Sequence, residues 1–280
     1  MGGGVPTAAI LGLGIVGRSM ALLAPPGTIG IDIDPARVEL CRASGGEATT
    51  DPDAARGREL LFLCVGTPMG TAGLLDATQF YRVLKEVEQL ASAETTTVIR
   101  STILPTLLGA CARLPGPVVV NPEFLRVRSA VREVLHPPFL IVGAEDPRHA
   151  APVMRWWKAA GLARTVPRLL CTRPEALALK YACNWFHALK VEFGNLMGDV
   201  CRTWGADAAA VMAMFVQDSV LNISPAYLKP GGPFGGACLP KDLYAGLAAL
   251  KGKPLVELAL LRALAEANVR RGGPSSAGSV

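Results

Sequence analysis

"AAILGLGIVGRSMALL", residues 8–23, joins a short continuous apolar run to a segment of helical composition through Gly12, Gly14 and Gly17. Residues 8–13 read as a buried strand and 15–24 as a helix. Glycines at this spacing let a pyrophosphate approach the backbone and rest on the helix N-terminus, where Ile15 and Val16 open the first turn. A tight turn without a ligand has the same spacing. Asp32 separates the two readings: it stands 20 residues after Gly12, at the end of a second strand, "TIGIDI" (28–33). A carboxylate there accepts both ribose hydroxyls of NAD and repels the 2′-phosphate of NADP. Arg37 is nearby and is the residue type that receives such a phosphate, so it bears on the same choice.

Outward from this unit, apolar runs and helical segments alternate. A helix is predicted at 35–43, a weak strand near 46–49, a short helix near 51–56, a strand at 59–65 and a helix at 76–92. Strands at 96–101, 116–121 and 139–144 follow, the last closing the series, with a helix at 147–160. Continuous apolar strands alternating with helices indicate a parallel sheet covered on both faces. Near Thr172 the texture changes. Residues 173–205 read as one helix well beyond the usual mean of about 12 residues, ended by Gly205. Helices near 207–217, 239–251 and 254–270 come after it. The expected class is α/β: a Rossmann-type doubly wound parallel sheet followed by an all-helical domain. The expected division is 1–172 for cofactor binding, 173–270 for a helical domain and 271–280 for a small-residue, flexible tail.

Composition narrows the function. Half of the 280 residues are apolar and 18% are charged, the profile of a compact globular protein. The net charge of +5 comes without a Lys/Arg block or interleaved aromatics, so no nucleic acid is expected as partner, while an anionic small ligand suits it. No apolar run approaches the roughly 20 residues of a membrane span, and no secretory signal is visible. A cytoplasmic protein with no membrane partner is expected. The seven cysteines include no CxxC pair, which argues against a disulfide framework and against a metal site.

Four further stretches carry candidate chemistry. "VGTP" (Val65, Gly66, Thr67, Pro68) and "RSTILP" (100–105, with Ser101 and Thr102) end strands, where ligands gather in open α/β sheets; each also serves as a plain strand-ending turn. "NPEFL" (121–125) sets Glu123 just past a strand end, a position that by itself reads first as a solvated loop carboxylate. Lys180, Asn184 and His187 share one face of the long helix. An ammonium and an amide there can hold a developing oxyanion; an ordinary polar stripe has the same pattern. In "GGPFGGACLPKD" (231–242) Cys238 immediately precedes a helix start, where the dipole and unpaired N–H groups stabilise a thiolate and Lys241 adds charge. Spacing alone leaves Cys238 open to a reactive or a structural role.

Together these stretches resemble the UDP-glucose/GDP-mannose dehydrogenases, nucleotide-sugar 6-dehydrogenases. The resemblance runs from about residue 8 to 270, and "NPEFLR", "LKYACNWFHALKVEF" and "LNISPAYLKPGGPFGGACLPKD" resemble the GDP-mannose branch in particular. It implies oxidation of a primary alcohol to a carboxylate by two hydride transfers to NAD. Cys238 is then the nucleophile, passing through a thiohemiacetal and a thioester. Lys180 and Asn184 match the oxyanion-stabilising positions, Thr102 and Asp242 those that orient the water, and Glu123 the general acid/base. Gly12, Gly14, Ile15, Val16, Gly17, Asp32, Arg37, Val65, Gly66, Thr67, Pro68, Ser101 and Lys241 match cofactor-side positions. Phe124, Leu125, Arg126, His187, Lys190, Asn222, Tyr227, Lys229 and Gly235 match substrate-facing ones, and Arg128, where the family pattern changes, is expected to contact the substrate as well. The long helix matches the family's dimer core, which implies a homodimer.

The chain also departs from the family pattern. It ends about where the family's third, nucleotide-binding domain begins, a loop and helix after the second strand are missing, and Val127 and Arg128 stand where the family usually has Glu after "NPEFLR". The expectation is a phosphorylated substrate smaller than a nucleotide-diphosphate sugar, such as a nucleoside monophosphate or a sugar phosphate. A non-catalytic binding protein and a two-electron alcohol dehydrogenase are the alternatives.

Overall fold

The computed structural model describes residues 4–126, 130–219, 231–252 and 258–275, apart from five side chains near the end of the longest helix and that of residue 258. The chain divides into two compact units, Met1–Thr67 with Ala77–Lys180 and Pro68–Asp76 with Tyr181–Val280.

The first unit is built on β1 (Ala8–Leu11), β2 (Thr28–Ile31), β3 (Ala48–Thr49), β4 (Leu60–Leu63), β5 (Thr96–Ile99), β6 (Val118–Val120), β7 (Leu140–Gly143) and β8 (Arg168–Cys171). They form one sheet in the order β3-β2-β1-β4-β5-β6-β7-β8. Its helices are α1 (Ile15–Leu22), α2 (Pro35–Ala43), α3 (Thr78–Leu90), α4 (Ala130–Glu133) and α5 (Ala150–Ala159). The order 3-2-1-4-5-6 is that of a doubly wound sheet, whose ligand crevice opens beside β1 at the carboxyl ends of the strands.

β1, β4, β5 and β7 are buried at every residue, which is why β1, β4 and β7 read as apolar runs rather than as alternation, while β5 also buries Thr96 and Thr97. Alternate residues still separate onto two faces. Ala8, Ile10, Leu60, Phe62 and Val98 pack with Met20, Val38, Trp156 and Trp157. Ala9, Leu11, Leu61, Leu63 and Ile99 pack with Phe80, Leu84 and Val87 of α3, at helical spacing. Local chemistry sets the helix starts. Asp34 accepts from the Ala36 N–H ahead of α2, with Pro35 in the first turn.

Two features of the sheet differ from the reading of the sequence. The series does not close at β7: β8 adds an edge strand parallel to it. Leu169 and Leu170 of that strand are exposed, so "RLLC" carries none of the buried-strand signal. The pair β6–β7 is antiparallel, Val120 lying opposite Gly143. Outside the sheet, a 3₁₀ segment, Pro105–Arg113, occupies a stretch read as connection, and another, Pro147–His149, forms the start of the predicted 147–160 helix ahead of α5.

Helix α6 (Arg173–Trp204) is 32 residues long. Thr172 and Glu175 form a capping box at its start, the Glu175 carboxylate accepting from both the N–H and the hydroxyl of Thr172. The second unit continues with α7 (Ala208–Phe215), α8 (Leu239–Ala249) and α9 (Leu258–Arg270). Its core joins Ala188 of α6, Phe234, Leu243 of α8, and Leu264 and Ala265 of α9. A Cβ at Gly246 would stand 2.1 Å from the Trp185 ring, so α8 packs closely on α6. Among the described residues no helix is long and apolar enough to cross a membrane.

Candidate active site

The three glycines after β1 have three different surroundings. Gly12 has φ +98°, and a Cβ there would lie 2.8 Å from the Cys64 carbonyl oxygen; it makes the turn. At Gly17 a Cβ would lie 1.9 Å from the Gly12 carbonyl oxygen and 3.1 Å from Cys64 Cβ, so this glycine lets α1 lie against the strands. A Cβ at Gly14 meets nothing within 4 Å, although Gly14 is the N-cap of α1. An open face at a helix N-terminus, with first-turn N–H groups at Ile15, Val16 and Gly17 lacking intrahelical partners, is what a pyrophosphate needs. Asp32 is buried at the end of β2. Its Oδ2 accepts from the Leu13 N–H at 2.7 Å and its Oδ1 from the Asp34 N–H at 2.9 Å. The carboxylate is thus fixed against the glycine turn, with lone pairs left for ribose hydroxyls. Arg37 extends its guanidinium to 3.5 Å from both Asp32 and Asp34. These residues fit NAD.

The ends of β4 and β5 are laced together. Thr67 Oγ1 donates to the Thr102 carbonyl at 2.7 Å, and Ser101 Oγ lies 2.7 Å from the Val65 carbonyl oxygen. Both hydroxyls are engaged with backbone, and Gly66 is exposed between them. Pro68 belongs to the second unit.

Beyond β6, Glu123 accepts from Lys180 Nζ at 2.9 Å and from the Leu125 N–H at 2.6 Å. Burial pushes the Glu123 pKa up, but the adjacent Lys180 charge and hydrogen bond, the Leu125 N–H and the Arg100 charge outweigh it. The carboxyl is held below its ordinary value, as a buried carboxylate. Phe124 lies under the Lys180 ammonium, 5.5 Å from it. Arg126 turns outward and pairs with Glu133 at 2.5 Å. The turn that carries Glu123 is itself anchored. Asn121 accepts from Arg100 Nη1 at 2.7 Å and from the Trp157 indole at 2.9 Å, and donates to the Ile141 carbonyl at 2.7 Å. Reading the sequence passes over Arg100 and Asn121, since a buried Arg at a strand end shows itself only through its partners.

In the second unit Asp242 is fully buried in the first turn of α8. It accepts from the Asn184 amide, and Lys241 Nζ stands 2.7 Å from its other carboxylate oxygen. The Trp185 indole donates to the Asp242 carbonyl at 3.0 Å. Burial pushes the neighbouring Tyr181 hydroxyl up, and the Asp242 charge adds to it. Cys238 is exposed at the N-cap of α8, and the Asp242 N–H donates to its carbonyl at 2.9 Å, one turn on. Thiol and carboxylate therefore share a helix face. Gly235 is exposed, with nothing within 4 Å of a Cβ built on it. Lys190 is buried, 6.0 Å from the Phe186 ring, and His187 is half-buried. Val127, Arg128, Asn222, Tyr227 and Lys229 lie outside the described residues. Reading the sequence passes over Trp185 and Tyr181, which neighbour Asp242.

Comparison with known proteins identifies the family of both units' sequences. Residues 41–160 match the NAD binding domain, and 174–270 the central domain, of the UDP-glucose/GDP-mannose dehydrogenase family. GDP-mannose 6-dehydrogenase of Pseudomonas syringae pv. syringae is 32% identical over 92% of this chain and 67% of its own. A UDP-glucose dehydrogenase structure from Pyrobaculum islandicum superposes with a TM-score of 0.84 at 27% identity, over 95% of this chain and 68% of the other. A ternary complex of GDP-mannose dehydrogenase from Pseudomonas aeruginosa superposes with a TM-score of 0.70 at 30% identity, over 94% and 68%. The chain thus spans about two thirds of the length of these relatives. With its glycine turn, its Asp32 and both matched domains, the chain belongs to the UDP-glucose/GDP-mannose dehydrogenase family, whose members are NAD-dependent dehydrogenases.

Proposed function

We propose that this chain oxidises the primary alcohol of a phosphorylated sugar, nucleotide or sugar nucleotide to a carboxylate, with NAD as oxidant and Cys238 as nucleophile. The observation that carries the reading is the buried Asn184–Asp242–Lys241 group one helical turn past the exposed Cys238. Burying a carboxylate is costly unless charge and hydrogen bonds compensate it, and here the compensation lies on the face of α8 that carries the thiol.

Each NAD⁺, when bound, would accept one hydride, so the two oxidations would consume two in succession. The chain supplies the rest. Gly14 and the start of α1 take the pyrophosphate, and Asp32 the adenosine ribose. Removal of the alcohol proton and the first hydride leaves an aldehyde. The Cys238 thiolate adds to its carbonyl carbon, forming a C–S bond, while Lys180 and Asn184 hold the oxygen. Loss of the second hydride converts the thiohemiacetal to a thioester. Water, oriented by Thr102 and Asp242, adds to the thioester carbonyl and expels the thiolate, with Glu123 moving the proton. Per alcohol, two NAD⁺ and one water are consumed, and one carboxylate, two NADH and three protons are formed. Phe124, Leu125, His187, Lys190 and Gly235 are assigned to the substrate. The relatives' names, GDP-mannose 6-dehydrogenase and UDP-glucose dehydrogenase, support a phosphorylated sugar.

NADH yield is measured with GDP-mannose, UDP-glucose, sugar 1-phosphates and nucleoside monophosphates, for the parent and for Cys238→Ser. Two NADH per acid are expected from the parent, and no acid from the variant. Full oxidation by Cys238→Ser rejects the thioester route. One NADH per turnover with aldehyde as product makes it a two-electron dehydrogenase, and NAD binding without turnover on any of these makes it a binding protein.

The same reading pairs two copies of the chain through α6. Its exposed Leu189, with Leu260 of α9, borders an apolar groove of about 520 Å³, and Phe186 is also exposed on the same helix. Sedimentation at micromolar concentration is expected to give a dimer, and a monomer rejects it.

A further inference from the structure

The glycine-rich segment before Cys238 is held by two side chains that the proposed chemistry does not use. Asn195 of α6 and Asn268 of α9 are both buried, each with 1% of its surface exposed. Asn195 Nδ2 donates to the Gly232 carbonyl at 2.7 Å, and Asn195 Oδ1 accepts from the Gly231 N–H at 2.8 Å. Asn268 Oδ1 accepts from the Phe234 N–H at 2.8 Å. The Phe234 ring is buried among Ala188, Leu243, Leu264 and Ala265. Near this clamp Arg271, the residue just past the end of α9, donates to Glu192 of α6 at 2.9 Å. Three backbone groups within four residues are therefore tied to two helices. The exposed Gly235 and Gly236 and the cysteine itself follow directly.

The physical need for such a clamp is plain. A segment rich in glycine loses more conformational entropy on ordering than any other, so its own preferences do not hold it in one shape. Backbone groups bonded to buried amides do. The two asparagines meet the need differently. Asn195 uses donor and acceptor together, which a carboxylate or an aliphatic side chain of the same size does not. Asn268 uses only its oxygen for Phe234.

We propose that Asn195 and Asn268 are positioning residues for Cys238, fixing residues 231–234 from α6 and α9 so that the loop presents the thiol at the start of α8 in one conformation. The proposal rests on the reading of Cys238 as nucleophile and adds the residues that aim it. It makes α9 part of the catalytic apparatus without giving it any contact with substrate.

Hydrogen exchange by mass spectrometry on the full chain, together with site-resolved iodoacetamide labelling of Cys238, tests it. In Asn195→Leu and Asn268→Ala, exchange across 231–236 is expected to rise about tenfold, as for loss of one net hydrogen bond. Segments 8–31 and 96–121 are expected to keep the parent rate, and Cys238 to label severalfold more slowly. Asn268→Asp, which keeps an acceptor for the Phe234 N–H, is expected to retain the parent protection. Asn195→Asp, which sets an oxygen against the Gly232 carbonyl, is expected to lose it. That contrast decides the matter even where a truncation unfolds the unit, since both carboxylate variants keep the side-chain volume. Loop exchange unchanged in the Leu and Ala variants overturns the proposal, and so does a loosened loop whose Cys238 labels at the parent rate. An inert Cys238 in the parent, or acid formation by Cys238→Ser, instead rejects the nucleophile itself, while the exchange contrast still reports on the clamp.

Discussion

Glu123 and Lys180 stand 57 residues apart in the chain and 2.9 Å apart in space, the carboxylate in the turn after β6 and the ammonium in the second turn of α6. Both are nearly excluded from water. A pair of this kind contributes little net stability when intact, but leaves an uncompensated charge when one partner is removed.

Glu123→Gln is accordingly expected to destabilise the protein by about 3 kcal/mol near neutral pH. The Glu123 pKa is depressed in the folded state. Its contribution is therefore fully present above the ordinary carboxylate value of about 4.3 and is lost as pH falls through the lower folded value. Urea unfolding of parent and variant from pH 3 to 8 checks this: the gap is expected to be flat above about pH 5 and to close in acid. A gap that widens in acid contradicts the assignment. The double variant Glu123→Leu, Lys180→Met is expected to be more stable than Glu123→Gln.

The glycines of the β1–α1 turn separate stability from ligand binding. Gly17→Ala forces a methyl onto the Gly12 carbonyl and is expected to lower the melting temperature and NAD affinity together. Gly14→Ala has open space for its methyl, so melting is expected to stay near the parent value. NAD affinity in calorimetry is nevertheless expected to fall about tenfold or more, because the methyl occupies the approach to the helix N-terminus. Unchanged NAD affinity in Gly14→Ala would place the pyrophosphate elsewhere.

Asp32→Ala removes a carboxylate that anchors the Leu13 and Asp34 N–H groups as well as the proposed ribose contact. A loss of about 1–3 kcal/mol in stability is expected from the orphaned donors, with a fall in the ratio of NAD to NADP affinity. Adding Arg37→Ala is expected to weaken NADP again while leaving NAD nearly unaffected. Parallel titrations with both dinucleotides measure it.

Asn184→Leu leaves the fully buried Asp242 carboxylate without its amide donor. Destabilisation of about 1–3 kcal/mol is expected, together with loss of activity. Asn184→Leu, Asp242→Asn is expected to recover stability but no acid product. Chemical denaturation and product analysis separate the two effects.

The residues that local chemistry governs are legible in the amino-acid order itself. The glycine turn, Asp32 one strand later and the start of α6 each depend on neighbours a few residues away. Backbone freedom, alternation and capping act over that range. Legibility fails where position depends on distant partners. β8 escapes notice because an exposed edge strand has no need of a continuous apolar run. The direction of β6 against β7 is equally silent, because strand pairing is set by connections rather than by composition.

The site divides in the same way. The groups proposed to react, Cys238, Lys180, Asn184 and Glu123, stand out as residue types in suggestive places, and family resemblance attaches roles to them. Their supports do not stand out. Arg100 behind Asn121, Trp185 on the Asp242 carbonyl, and Asn195 and Asn268 on the glycine loop each look like ordinary helix or strand residues. Order along the chain thus set which residue types are available for chemistry. Only the folded packing decided which buried amides and cations hold them in place, because a hydrogen bond between residues far apart in sequence leaves no periodic trace in either segment.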